Sequence, residues 1–366
     1  MWCWLDLTLT RPDAQRVDFE AAQTQTQTQT QTQTQTGMGL SRCSFVKPKS
    51  SSPDHADMLA RLQQFITLGL LSTAAIWAAV FLSRGEPTWA VVGVLLILFG
   101  YALFLALEFI LLWFVNRADP TPSAAPLQLL KAWFGEVTTA PMVFCWRQPF
   151  RSNAVPDFLP AYIDKNATQR AVVFVHGYVC NRGLWNPLME KLQVRGVPFA
   201  AVNLEPVFGS IDSYAPIIDA AVKRATAATG LAPVLVAHSM GGLAVRAWLS
   251  TQTPAQQHAP TAHHVITIGT PHRGTWLARF GSTLNALQMR QGDAWQTKLS
   301  AAEPAERLAR FTCFYGHADN IVFPASTATL PGADNRHIAA CAHVHMTYHP
   351  QVWAEVVRAV ERSDQN

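Results

Sequence analysis

Two long apolar runs stand near the front of the chain, and a series of short ones fills the rear. Phe65 to Leu82 is 18 residues without a charge, and Trp89 to Val115 holds a single charge, Glu108. A helix of about 20 apolar residues crosses the hydrocarbon core of a bilayer, so both runs are expected to be transmembrane helices. They are apolar all round, which argues against amphipathic helices covering a soluble core; a buried helical pair is the alternative. The six residues Ser83 to Thr88 join them in a tight hairpin, so both ends face one side. Lys47, Lys49 and Arg61 flank the first run, Arg117 and Lys131 follow the second, and Arg84 is the joining turn's only basic residue. That bias predicts both termini on the cytoplasmic side. Glu108 is expected to pair with polar groups in the hairpin or to mark a site. With no second ionisable residue in either run, a transport pathway is the weaker reading.

From Arg170 onward the pattern changes. Short continuous apolar runs at 171–175, 199–204, 233–238, 264–269, 311–316 and 336–341 read as buried strands. Helical stretches lie around Trp185 to Gln193, Tyr214 to Ala228 and Gly242 to Ser250, and Gln351 to Glu361 closes the series. Strands apolar on both faces, alternating with helices, predict an α/β fold with a mostly parallel sheet covered by helices. Between the two patterns, residues 116–126 form a Pro/Ala/Ser linker. Leu127 to Val137 then repeats with helical period, as a helix on the membrane surface or, by default, on the next domain. Gln23 to Thr36 is an uninterrupted Gln-Thr repeat that buries no core. The expected organisation is thus a disordered low-complexity segment (1–57, with Met38 or Met58 as alternative starts), two transmembrane helices (58–115), a linker with an amphipathic segment (116–165) and an α/β domain (166–366).

Composition narrows the partners. The chain of 366 residues is 49% hydrophobic and 14% charged, against about a quarter charged in typical soluble domains. A net charge of +4 without a basic block gives nucleic acid nothing to hold. The six cysteines show no C-x-x-C pair and read as free thiols. The crowded His343, His345 and His349 lack an acidic or thiol partner at ligand spacing, so no metal is expected. Without a Gly-rich phosphate loop, no nucleotide cofactor is expected either.

The chemistry centres on "LVAHSMGGLAVRAW", residues 235–248. An apolar strand ends at His238-Ser239, and a helix opens just beyond. That is the context of a nucleophile elbow, a sharp turn that lifts a serine Oγ clear of a sheet and needs small residues two before and two after it. Ala237 and Gly241 hold those places. The alternative is a Gly-bearing strand–helix turn without chemistry. Acyl transfer also needs two preorganised N–H donors for an oxyanion. Met240, following the serine, supplies one, and Tyr178, in "VHGY" after the first domain strand, supplies the other. His176, Gly177, His238 and Trp185 are the candidate substrate-binding residues, although ordinary core is an equally good reading of Trp185. Gly281 to Arg310 reads as a small cap over the pocket or a surface helix.

Residues 170–360 resemble the α/β-hydrolase superfamily, and within it the small bacterial triacylglycerol lipases and esterases. "VVFVHGY", "AHSMGG", "TIGTPHRGT" and the closing run from Tyr315 to Val352 carry the resemblance, in the family's order. It implies an acid at Asp319 and a base at His343, seven residues before the closing helix, with His345 as the alternative. The resemblance departs from the family at Ala237 and Ala342, where glycine is usual. It implies a serine hydrolase cleaving carboxylic esters through an acyl-enzyme on Ser239. The hairpin would hold it at a lipid surface, in a bacterial inner membrane with the catalytic domain on the cytoplasmic side. An acyltransferase with the same residues, a peptidase, and a non-catalytic membrane scaffold with this fold are the other readings.

Overall fold

The computed structural model describes residues 58–159, 169–252 and 262–361. The expected disordered segment at 1–57 lies outside the described residues, as does the end of the expected linker.

Six parallel strands make one sheet: β1 (Val172–Val175), β2 (Phe199–Ala201), β3 (Val234–His238), β4 (His264–Ile268), β5 (Phe311–Tyr315) and β6 (Asp334–His337), in the order β2-β1-β3-β4-β5-β6. The direction in which the order grows reverses at β1 and β3, which puts a crevice beyond the carboxyl ends of the central strands. Every residue of β1 and β3 is buried, because helices cover both faces. Numbering helices along the chain, α1 (Met58–Ser83), α2 (Pro87–Val115) and α3 (Pro126–Pro141) precede the sheet. The sheet's helices are α4 (Asn186–Val194), α5 (Ala215–Thr229), α6 (Met240–Ser250) and α7 (Pro350–Val360). Leu235, Ala237, Ile218, Leu243 and Trp248 build the core on one face; Phe174, Val236, Ile266, Leu188 and Val356 build it on the other.

Five strands stand close to where the apolar pattern puts them. The sixth does not. The expected strand at 336–341 is in fact at Asp334–His337, an edge of polar residues, and Ile338 and Cys341 bury themselves in the turn that follows. Edge pairing uses backbone groups and leaves the side chains half wet, so hydrophobicity does not mark it. Ala340, at φ 53°, turns the chain back toward the sheet.

α1 and α2 are both long and apolar enough to cross a membrane. Gly85, at φ 73°, closes α1: its N–H reaches Leu82 O at 3.0 Å while Glu86 N–H reaches Phe81 O at 2.9 Å, the paired bonds of a glycine C-cap. Pro87 then opens α2 where its missing N–H costs nothing. A Cβ on Gly93 would meet the Trp77 indole at 1.7 Å, and that indole Nε1–H donates to Trp89 O at 2.8 Å, so the glycine seats one helix against the other.

With 29 residues, α2 is ~43 Å long, more than the hydrocarbon core of a bilayer. Its last turns rest on the sheet domain. Leu105, Glu108, Phe109 and Leu112 lie on one face and are buried, and Asn116 continues the line just past the helix end. Phe109 packs with Ala318 and Ala342, and Leu112 with Leu277 and Phe323. α3 has two faces. Ala132, Gly135 and Glu136 are buried, whereas Leu127, Leu130 and Phe134 are exposed. The helix thus packs a stripe on the domain, the default placement, and leaves an apolar outer stripe exposed. Pro141, inside the helix, cannot donate to Val137 O, and the Tyr101 hydroxyl of α2 takes that acceptor at 2.7 Å. A π-helical turn, Met142–Arg147, follows.

Candidate active site

Ser239 follows β3 at φ 55°, ψ −130°, a conformation almost reserved for glycine. Neighbouring segments hold it there. Ser239 N–H donates to Ile268 O at 2.9 Å, and Gly242 N–H returns to Ser239 O at 3.0 Å. The small residues that the elbow needs have identifiable reasons. A Cβ on Gly241 would meet the backbone oxygens of His176 and Val175 at 2.5 and 2.6 Å. A Cβ on Gly177 would stand 2.7 Å from Ser239 Cβ, so the loop after β1 passes directly over the serine. A strained serine between a central parallel strand and the helix that follows it, in a sheet of this order, decides the architecture.

The chain has an α/β-hydrolase fold.

The two residues that the resemblance marks as acid and base, Asp319 on the loop after β5 and His343 on the loop after β6, meet. His343 Nδ1 lies 3.0 Å from Asp319 Oδ2, with both side chains almost fully buried. Asp319 Oδ1 accepts from the N–H groups of Ile321 and Val322, each at 2.9 Å, which aims the other oxygen at the imidazole. Burial pulls the His343 pKa down, but the carboxylates of Asp319, Glu136 and Glu108 together more than offset it and hold it above the ordinary value. Gly269, at φ 55°, makes room for the pair. A Cβ there would lie 2.8 Å from Asp319 Oδ2 and 3.0 Å from His343 Nδ1. Ser239 and His343 line one small enclosed cavity, with Tyr178, His238, Thr275 and Met289 also on its wall.

His345, the alternative base, is turned away. Its Nδ1 occupies the space left by the missing side chain of Gly135 on α3, 2.3 Å from where a Cβ would be, whereas the Asp319 carboxylate faces His343. His337 ends β6, and the His349 Nδ1 accepts from Gln351 N–H at the start of α7. Among the described residues no group of three or more His, Cys, Asp or Glu is placed to hold a metal ion.

The four candidate substrate-binding residues divide. His238 is on the cavity wall, its ring 4.5 Å from that of His343 and its Nε2 3.2 Å from His343 O. Burial, then the neighbouring His343, holds its pKa well below the ordinary value. Gly177 lies over the serine. His176 instead ties the loop: Nδ1 lies 2.9 Å from Gly177 O, and Nε2 accepts Leu204 N–H at 2.9 Å. Burial lowers its pKa to about 4, so the ring is neutral and its Nδ1 carries the proton. Trp185 is fully buried against Phe174 and is not on the cavity wall. From the expected cap, Met289 reaches the cavity, while the stretch at 294–303 is locked to α6. There Glu303 receives the Arg246 guanidinium through Nε and Nη2 at 2.6–3.2 Å, both side chains fully buried.

Two carboxylates stand behind the histidine: Glu108, which the sequence offered as a hairpin partner or the mark of a site, and Glu136, which it did not single out. Glu108 of α2 reaches the histidine loop instead of the hairpin: its Oε2 accepts from Asn320 Nδ2 at 2.6 Å, and Asn320 Oδ1 accepts from His343 N–H at 3.2 Å. Glu136 of α3 accepts from Val344 N–H at 3.1 Å and from His345 N–H at 3.0 Å. Burial raises the Glu136 pKa to about 6, the two backbone bonds opposing it. A charge in an apolar run is a sequence signal for Glu108; Glu136, in an amphipathic helix, carries none.

No protein-family model matches the chain, and no curated protein matches it. Several solved structures are similar to part of it. Aspergillus fumigatus lipase B is 19% identical over 58% of this chain and 58% of its own length, with a TM-score of 0.48. Bacillus licheniformis lipase BlEst2 in mature form is 18% identical over 55% and 95%, with a TM-score of 0.47. The metagenomic carboxyl esterase MGS0156 is 16% identical over 65% and 95%, with a TM-score of 0.40. This chain therefore spans under two thirds of the first of these.

Proposed function

We propose that the protein is a membrane-anchored serine hydrolase of carboxylic esters, acting through an acyl-enzyme on Ser239. One observation carries this reading: a strained serine shares an enclosed cavity with a histidine whose far nitrogen is held by a buried carboxylate. With Nδ1–H donated to Asp319, Nε2 of His343 is the unprotonated nitrogen. It takes the Ser239 proton as Oγ attacks the ester carbonyl, and the Ser–acyl bond forms. The tetrahedral oxyanion is met by the backbone N–H of Met240, at the positive end of α6, and of Tyr178. His343 returns the proton to the departing alcohol. Water, deprotonated by the same nitrogen, releases the acid and frees Ser239. Asp319 keeps its charge throughout and stabilises the imidazolium.

α1 and α2 cross the bilayer in this reading, with both ends of the hairpin and the hydrolase domain on the cytoplasmic side. The exposed Leu127, Leu130 and Phe134 of α3 extend the lipid-facing surface.

The test is turnover of p-nitrophenyl esters of graded chain length by detergent-solubilised protein beside Ser239→Ala. The expected result is hydrolysis by the wild type and a loss of roughly 10⁴-fold or more in the variant. Equal rates in the two would overturn the reading. Absent turnover with Ser239 still labelled by a fluorophosphonate would leave an acyltransferase; no labelling would leave a scaffold.

A further inference from the structure

A second cavity, of about 140 Å³, lies between the hairpin and the hydrolase domain. Leu70 of α1 and Ile97, Leu98 and Leu105 of α2 line one side of it; Phe144 of the π-helical turn and Val179 line the other. Its polar neighbours Tyr101, Glu136 and Cys145 are occupied elsewhere, the thiol with Thr67. The Tyr101 hydroxyl is spent on Val137 O, and the Glu136 carboxylate on the N–H groups of Val344 and His345. The space is therefore apolar in effect.

Its relation to the serine is the informative part. Phe144 lines both this cavity and the one containing Ser239 and His343. Around it, Tyr178 and Cys180 border the serine cavity, while Val179 between them borders the hairpin cavity. The wall is thus one side chain and one loop thick. Val179 sits at φ 50°, which a β-branched residue rarely adopts. Phe144 stands on a π turn, a local widening of the helix that follows Pro141. On the far side, the same two helices turn Leu68, Leu71, Leu95, Phe99 and Leu103 outward, each about half exposed or more. Between the outward-facing side of the hairpin and the serine cavity, the walls are mostly apolar side chains.

We propose that this hairpin cavity is the acyl-chain site for an ester of a long-chain fatty acid drawn directly from the bilayer, with Phe144 as the partition that moves aside to join it to Ser239. The proposal rests on the ester-hydrolase reading above. The hairpin then serves as part of the substrate site, and a long acyl chain lies between α1 and α2 while its carbonyl lies at Ser239.

An alkyl fluorophosphonate carrying a diazirine at the end of a sixteen-carbon tail tests it on the full chain in lipid nanodiscs. Ser239 Oγ attacks phosphorus as the hydroxyl proton passes to the base and fluoride leaves, which fixes the head; light then fixes the tail. Peptide mapping is expected to find the tail on α1 or α2, near Leu70, Leu98 or Leu105. A tail on residues 276–301 with Ser239 labelled would overturn this inference and leave the hydrolase reading standing. Absence of Ser239 labelling would bring down both. As an activity measure, Leu98→Trp fills the cavity and is expected to lower the ratio of kcat/KM for sixteen-carbon over four-carbon esters roughly tenfold or more, since several methylenes lose their burial. Leu95→Trp, on the lipid-facing side of the same helix, is expected to leave that ratio unchanged. An unchanged ratio in Leu98→Trp would overturn the inference.

Discussion

At the scale of single residues, the site is a matter of which nitrogen carries a proton. Asp319 presents one oxygen to His343 because its other oxygen is held by two backbone N–H groups. Asp319→Asn would offer an N–H where an acceptor is needed and favour the wrong tautomer, so kcat is expected to fall by roughly 10⁴-fold with the fold intact. The raised pKa of His343 has a sign that can be checked. In the proposed mechanism its neutral form is the base, so kcat/KM falls as pH drops through that pKa, and the acid limb is expected above the ordinary histidine value of 6.5. After Asp319, the carboxylates of Glu136 and Glu108 push in the same direction. Glu136→Gln removes one negative charge, and the acid limb is expected to move to lower pH. An unmoved limb would reduce Glu136 to a brace for the Val344–His345 backbone.

At the scale of elements, most of the site's precision comes from helices that the sheet does not need. α3 supplies Glu136 to the histidine loop and the Gly135 gap that takes His345 out of competition. The segment 294–303 is held to α6 by the buried Arg246–Glu303 pair, with Arg246 also donating to His272 O and Ser300 Oγ. A buried guanidinium with its carboxylate removed is left uncompensated. Glu303→Leu is therefore expected to lower stability by about 3–5 kcal/mol, read from the denaturation midpoint in detergent. The double replacement Arg246→Met with Glu303→Leu should recover most of that loss. If the single variant is as stable as the wild type, water reaches Arg246 and the segment is not anchored through it.

At the scale of the whole molecule, hairpin and hydrolase domain are one packed unit. The end of α2 reaches the loops that carry Asp319 and His343 through Phe109, Leu112 and Glu108, and Asn116 accepts from Ala325 N–H while donating to His317 O. The orientation proposed for this unit is open to direct labelling. Ser83→Cys, in the joining turn, is expected to react with an impermeant maleimide added to intact cells, and Glu361→Cys only after the cells are opened. The reverse pattern would place the hydrolase domain outside.

Much of the architecture was legible because buried parallel strands are continuous apolar runs and membrane-length helices are longer ones; both signals are local. The elbow at Ser239 was legible for the same reason, since its small neighbours answer to a turn that a few consecutive residues make. The polar edge strand β6 was not, because its pairing partner β5 lies elsewhere in the chain and its side chains need not be apolar. Asp319 and His343 were readable only through resemblance to a family, as nothing in their own neighbourhoods distinguishes an acid from a turn residue or one crowded histidine from the next. The choice of His343 over His345 belongs to tertiary structure, which brought one imidazole to a carboxylate and the other to a glycine on α3. So does the meaning of Glu108. Sequence marked it as a charge that needs a reason; its partner, Asn320, lies 212 residues away. Periodicity and composition determine which stretches are buried, whereas the identity of a buried polar group's partner depends on where the chain returns, and only the folded molecule decides that.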